Sequence, residues 1–256
     1  MQKIPAFVIN LKKDVEKMAD VADQFCQLAG IRLFRIDGFV GSDLPDLLCQ
    51  LLTLNDWSVE NKGTLGCFVS HAIAWGAIAK QSEPFALVLE DDAAIQNSDT
   101  LIRLDLPADT DIVFCNERTT YPSEANQSCF RPVEPILHYL SRKGSSIGTD
   151  GYILTPQGAS KLLQYIRKDH MFSHIDLRLM AYCLSTEFSM PEEYCTGTIR
   201  NILGLRQTYS KDHKLNAYSL FPFITRHKAE GPTSSRTIED SIGRSSQRIQ
   251  EVQLGS

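Results

Sequence analysis

The sequence predicts an α/β fold with a mainly parallel central sheet, and three stretches predict it. Residues 4–11 are apolar and β-branched, as in a strand buried on both faces. Residues 12–29 follow with Val15, Met18, Val21, Ala22, Phe25 and Leu28 at helical spacing, Gly30 closes that helix, and residues 31–36 read as a second strand ending at Asp37-Gly38. Strand, helix, strand in that order is a βαβ unit, whose strands run parallel. The second stretch is Phe85-Ala86-Leu87-Val88-Leu89, an apolar strand that stops at Glu90-Asp91-Asp92. The third is a strand at 151–154 followed by a helix at 156–166, with Pro156 suited to its first turn.

The remaining elements follow in order. Residues 44–52 read as a short helix, and 63–80 as a loop leading into a helix, with Gly63 and Gly66 at its mouth. A strand is expected at 111–115, a polar, proline-containing loop at 116–133, a strand at 136–140 and a helix at 176–184. Beyond about residue 195 the pattern weakens. Residues 225–256 are rich in Ser, Thr, Arg and Gly. The organisation expected is one catalytic domain over 1–224 and a flexible tail or lid over 225–256.

Bulk composition excludes several classes. Of 256 residues, 43% are hydrophobic and 22% charged, as in globular proteins that bury a sizeable core. The net charge of −5 argues against nucleic acid as a partner and leaves at most a peripheral membrane association. The apolar start, Ala6-Phe7-Val8-Ile9, is too short for a signal peptide, and no run reaches the roughly 18 apolar residues of a membrane helix. A cytoplasmic protein is therefore expected. The seven cysteines are odd in number, irregularly spaced and without a CxxC pair. Neither a disulfide framework nor a zinc site follows from them, and most read as reduced, buried small hydrophobes.

Four blocks carry chemistry. Three carboxylates at a strand end repel one another unless a cation sits between them, and a hard divalent ion would bridge them to phosphate oxygens. The competing reading of Glu90-Asp91-Asp92 is a solvated turn with helix-capping acids. In the second block, Lys62 to His71, Gly63 and Gly66 permit close backbone approach and a helix start there favours an anion. It lacks the Walker pattern, which argues against an ATPase. His71 reads as a hydrogen-bonded structural residue or as a catalytic one. The third block is Gly148-Thr149-Asp150-Gly151-Tyr152-Ile153-Leu154. The fourth is Ser173-His174-Ile175-Asp176, in which Asp176 is either a helix cap or a general base.

In this order the blocks resemble bacterial glycosyltransferase family 25, the lipooligosaccharide galactosyltransferase-like proteins. The resemblance runs from Val8-Ile9-Asn10-Leu11 through Gly66-Cys67-Phe68-Val69-Ser70-His71 with Trp75, then Leu87 to Asp92, then 148–154, and ends at Ile175-Asp176. It implies a GT-A-like, Rossmann-type fold, a UDP-sugar donor, Mn²⁺ or Mg²⁺, and inversion at the anomeric carbon. The expected product is a hexose, galactose or glucose, joined to a saccharide or lipid-linked saccharide of a surface polysaccharide such as lipopolysaccharide. The resemblance places Asp92 on the metal, with His227 or His213 as a further ligand, and Glu90 and Asp91 beside the donor. It puts Asn10, Leu11 and Asp37 along the nucleotide, and Gly66, Ser70 and His71 in the same cofactor-binding set. Asp176 becomes the expected general base, with Asp150 second. Lys17 stands where many members carry arginine and cannot make that residue's paired contacts. Two other readings stay open: a nucleotide-sugar-binding protein without catalysis, and a metal-dependent sugar-nucleotide hydrolase.

Overall fold

In the computed structural model β1 (Ile4–Asn10), α1 (Val15–Cys26) and β2 (Ile31–Asp37) form the expected opening unit, with β1 and β2 parallel and Asn10 opposite Asp37. The structure describes residues 3–53, 62–120, 129–143, 147–171, 173–209 and 211–228. The chain continues through α2 (Asp46–Thr53), α3 (Lys62–Ile78), β3 (Ala86–Glu90), β4 (Ala93–Ile95), α4 (Ser98–Ile102), β5 (Ile112–Phe114), β6 (Cys129–Pro132) and α5 (Val133–Lys143). It ends with β7 (Gly151–Leu154), α6 (Pro156–Asp169), α7 (Ile175–Tyr182), α8 (Gly197–Thr208), β8 (Ala217–Phe221) and β9 (Thr225–His227).

Among the described residues, seven strands make one sheet in the order β2-β1-β3-β7-β5-β8-β6. β2, β1, β3, β5 and β8 point the same way, while β7 and β6 run against them. The α/β class and the mainly parallel sheet are thus as expected. Alternation along the strands sends side chains to two cores. Phe7, Val88, Ile112, Phe114 and Tyr152 meet α3, α5, α6, α7 and α8 on one face. Ala6, Val8, Leu87, Leu89, Val113 and Ile153 meet Val21, Phe25 and Leu101 on the other. Cover on both sides explains why the central strands β1 and β3 read as continuous apolar runs.

Five readings are corrected. Residues 136–140 are helical: Val133, Ile136, Leu137 and Leu140 are the buried positions of α5, a helical spacing that a short apolar window conceals. The 116–133 segment contains β6, paired with β8 at the sheet edge. Past residue 195 the chain forms α8, capped by Thr196 accepting from the Ile199 N–H at 3.3 Å, and then β8. Residues 225–227 are no tail: β9 pairs with β4, Thr225 is fully buried, and the Ile224 and Thr225 amides donate to the Cys115 carbonyl at 2.7 and 3.0 Å. Residues 229–256, the rest of the expected lid, lie outside the described residues. Finally, Gly63 and Gly66 lie within α3 and form no loop mouth.

Gly66 has a packing reason. A Cβ there would stand 2.6 Å from the Phe39 carbonyl oxygen and 2.8 Å from the Gly41 nitrogen. The bare glycine lets α3 lie against the 39–41 backbone. Ser70 completes the join, donating to the Gly66 carbonyl at 2.7 Å and accepting from the Phe39 N–H at 2.8 Å. Of the cysteines, Cys49, Cys115, Cys183 and Cys195 are buried, Cys67 and Cys129 are partly buried and Cys26 is exposed; all are free thiols. No helix among the described residues is long and apolar enough to cross a membrane.

Candidate active site

β3 delivers the acidic triplet to the edge where β1 ends and β7 begins. Ile9 lies opposite Glu90, and Leu89 opposite Gly151. Because β7 is antiparallel to β3, its first residue falls at the carboxyl end of β3 and brings Thr149 and Asp150 beside the acids. A parallel neighbour would have placed them at the opposite edge.

The three acids face different partners. Asp91 turns toward the start of α1: Asn10 Nδ2 donates to Asp91 Oδ2 at 2.8 Å, and Lys17 Nζ lies 3.5 Å from Oδ1. Burial still raises its pKa above the usual carboxylate value, against the pull of Asn10 and Lys17. Glu90 accepts from the Thr149 hydroxyl, and its Oε1 lies 3.6 Å from His71 Nε2. Asp92 faces His227, whose Nδ1 is 3.6 Å from Oδ2. Its other oxygen, Oδ1, is buried without a hydrogen-bond partner. Burial first, and then the neighbouring charge of Glu90, push the Asp92 carboxyl up to about 6.

Asp150 is 2% exposed. Arg118 Nε donates to its Oδ2 at 2.6 Å and Nη2 to its Oδ1, a two-point contact suited to a guanidinium. Asn116 holds that arginine in place. Its side chain is fully buried, accepts from the Arg118 and Thr119 amides at 3.0 and 3.1 Å, and donates to the Gly148 and Gly151 carbonyls at 2.9 and 3.1 Å. His227 arrives on β9, with Nδ1 3.6 Å from Asp150 Oδ1 as well as from Asp92. The Lys228 amide donates to the Asp92 carbonyl at 2.9 Å and secures the crossing.

Asp92, Asp150 and His227 each offer one ligand atom, and these atoms lie within 4.8 Å of one another. The set is two carboxylate oxygens and one imidazole nitrogen, with a buried carboxylate oxygen that lacks a donor. That chemistry fits a divalent cation of the Mn²⁺ or Mg²⁺ kind.

Asp176 stands at the first turn of α7. Its Oδ1 accepts from its neighbour's amide, Leu177 N–H, at 2.8 Å. Burial raises its pKa; the charges of His174 and Arg118 act against that rise and the charge of Glu90 adds to it. It therefore belongs to the same electrostatic neighbourhood as the triplet. His71 is fully buried, with Nδ1 2.8 Å from the Tyr152 hydroxyl, which also accepts from Trp75 Nε1 at 2.8 Å. Asp37 is exposed beside Lys12 and Arg35 at 3.6 and 3.5 Å. Leu11 is half-buried and packs near Gly38. Gly66 and Ser70 sit in the α3 packing described above, away from any open surface. His213 is not with these groups: it is buried against Tyr165, and its Nδ1 lies 2.9 Å from Asp169.

Arg118, Asn116, Thr149 and Tyr152 complete the site, and Arg118 and Asn116 carried no local signal in a polar segment. A cavity of about 670 Å³ lies along α8, lined by Phe188, Met190, Arg200, Arg206 and Tyr209 among others. None of the acids described here lines it.

The model of glycosyltransferase family 25 (LPS biosynthesis protein) matches residues 3–177. The chain is similar to procollagen galactosyltransferase 1 of Danio rerio, 29% identical over 111 residues, which are 40% of this chain and 17% of that protein. Two structures of the glycosyltransferase GlyE of Streptococcus pneumoniae TIGR4 are loosely similar. The apo form has a TM-score of 0.37 and 10% identity, over 82% of this chain and 45% of that one. A second GlyE structure gives 0.39 and 10%, over 86% and 46%. The chain thus spans less than half the length of each of these proteins. The match of the family model over residues 3–177, which contains the strand-end acids, Asp150 and Asp176, shows that this chain belongs to glycosyltransferase family 25.

Proposed function

We propose that the chain transfers a hexose from a UDP-sugar to a saccharide hydroxyl, with inversion at the anomeric carbon, in the synthesis of a lipopolysaccharide or other surface saccharide. The observation that carries this reading is the convergence of Asp92, Asp150 and His227 at a strand end that also holds Glu90 and Asp91. Family membership supplies the reaction class. Galactose is the first sugar to test, because the relative from Danio rerio is named a galactosyltransferase.

Asp92, Asp150 and His227 would hold Mn²⁺ or Mg²⁺, and the ion would supply positive charge for the departing diphosphate. Asp150 is suited to a ligand's role more than to proton transfer, since Arg118 engages both its oxygens. Asp176 is the acceptor-side base. Its carboxylate takes the proton of the attacking hydroxyl as oxygen bonds to the anomeric carbon and the bond to the diphosphate breaks. A raised pKa suits this task, because a carboxylate with its ordinary value is a weak base at neutral pH. Arg118, close in charge to Glu90, Asp150 and Asp176, keeps three acids tolerable in one place.

The test is turnover and binding with UDP-galactose and UDP-glucose, with and without Mn²⁺. Metal-dependent release of UDP that rises with a saccharide acceptor is the expected result. Absence of UDP binding at millimolar concentration would sink the reading. Fast release of free sugar without an acceptor would replace it with a hydrolase.

A further inference from the structure

The acidic strand end borders a second group of ligating atoms with a different chemistry. Cys67 and His71 lie four residues apart on α3, on one face of the helix, and Glu90 ends β3, whose Val88 shares a core with Phe68 and Trp75 of α3. Cys67 Sγ, a His71 ring nitrogen and a Glu90 carboxylate oxygen lie within 4.8 Å of one another. His71 Nε2 is buried and has no hydrogen-bond partner. Its distance to Glu90 Oε1, 3.6 Å, is long for a hydrogen bond. It is close to the separation of two ligands on one tetrahedral ion, about 3.4 Å for nitrogen and oxygen each roughly 2.1 Å from the metal.

The surroundings of His71 fit the same role. A metal-binding histidine usually gives the proton of its other ring nitrogen to a fixed acceptor, which sets the ring's orientation and tautomer. Here Nδ1 lies 2.8 Å from the Tyr152 hydroxyl oxygen, and Trp75 Nε1 pins that oxygen at 2.8 Å. In the tautomer with Nδ1–H donating to Tyr152, Nε2 carries the lone pair, and Glu90 Oε1 lies 3.6 Å from it.

We propose that Cys67, His71 and Glu90 form a binding site for a thiophilic divalent cation of the zinc class, separate from the Asp92, Asp150 and His227 set. One sulfur, one nitrogen and one oxygen ligand select such an ion over Mg²⁺, and three protein ligands leave a fourth position open. The inference does not depend on glycosyl transfer or on any sugar nucleotide.

Co²⁺, a spectroscopic stand-in for Zn²⁺, tests it. The metal-free full chain is titrated with Co²⁺ and followed by absorption. The expected result is a saturable thiolate-to-cobalt charge-transfer band that disappears in Cys67→Ser and persists in Asp92→Asn, where it saturates at one equivalent. Zn²⁺ displaces the Co²⁺ and removes the band. A titration without a thiolate band overturns the proposal, as does a band that survives Cys67→Ser, which would assign it to another cysteine. Should Cys67→Ser fail to fold, Glu90→Gln decides: Co²⁺ affinity read from the thiolate band and weakened roughly tenfold or more supports the site, and an unchanged affinity of that band overturns it. Either outcome leaves the donor reading to its own test with UDP-sugars.

Discussion

Asn10 donates to Asp91 Oδ2 at 2.8 Å, and that bond separates Asp91 from the two acids on either side of it. With Lys17 on its other oxygen, Asp91 ties the end of β3 to the β1–α1 corner. Asp92, one residue on, keeps a buried oxygen without a donor and faces His227. Adjacent acids in one tripeptide therefore meet different partners.

The first prediction follows from that division. Asp91→Asn keeps an acceptor for Asn10 and removes a charge that burial disfavours, so its kcat/KM should stay within about tenfold of the wild type and its stability within about 1 kcal/mol. Asp92→Asn should lower kcat/KM at least about a hundredfold and weaken the Mn²⁺ dependence. Steady-state kinetics over a Mn²⁺ series compares the two. Equal losses would contradict separate roles.

Stability should depend on pH through Asp92. Its folded pKa of about 6 lies above the unfolded value, so the ionised form is the less favourable one in the metal-free protein. The penalty is fully present above pH 6 and fades as the pH falls toward the unfolded pKa. Asp92→Asn should thus stabilise the metal-free protein by about 1–3 kcal/mol at pH 8, with the gain shrinking through pH 6 and vanishing near pH 4. Denaturant melts with a chelator at several pH values check the sign. Added Mn²⁺ should stabilise the wild type and not the variant.

Asp176→Asn should reduce turnover by about 10²–10⁴-fold while UDP affinity stays nearly unchanged. The side chain would still accept from Leu177 N–H, so the helix start is preserved. Isothermal titration with UDP beside single-turnover kinetics separates the two effects. Weakened UDP binding at equal magnitude would assign Asp176 to the donor instead.

Gly66→Ala tests a packing role. A Cβ there meets backbone atoms at 2.6–2.9 Å, which cannot rotate away as a side chain can. A loss of about 1–3 kcal/mol is expected, lowering Tm by roughly 2–12 °C. An unchanged melting curve would contradict it. Gly63→Ala is the control, since nothing lies within 4 Å of its Cβ.

The sequence by itself determined the class of the fold and the address of the acids. Strands covered on both faces are apolar throughout, and such runs are visible in 4–10 and 86–89, while the edge strand 31–37 mixes apolar residues with Arg32 and Arg35. Ligands in such sheets gather beyond the strands' carboxyl ends, which made Glu90-Asp91-Asp92 conspicuous without any structure. Short or weakly patterned elements were not legible. The apolar residues of α5 fall in a window too brief to tell a helix from a strand, and β9 is three residues of ordinary composition.

Only the tertiary structure decided which residues share the site. The antiparallel course of β7 moved Asp150 to the triplet, Asn116 set Arg118 upon Asp150, and the pairing of β9 with β4 carried His227 across to Asp92. The same is true of Cys67 and His71, which meet Glu90 because α3 shares a core with β3. Each meeting joins residues far apart in the chain through backbone pairing or packing, and no local pattern encodes the partner on the other side.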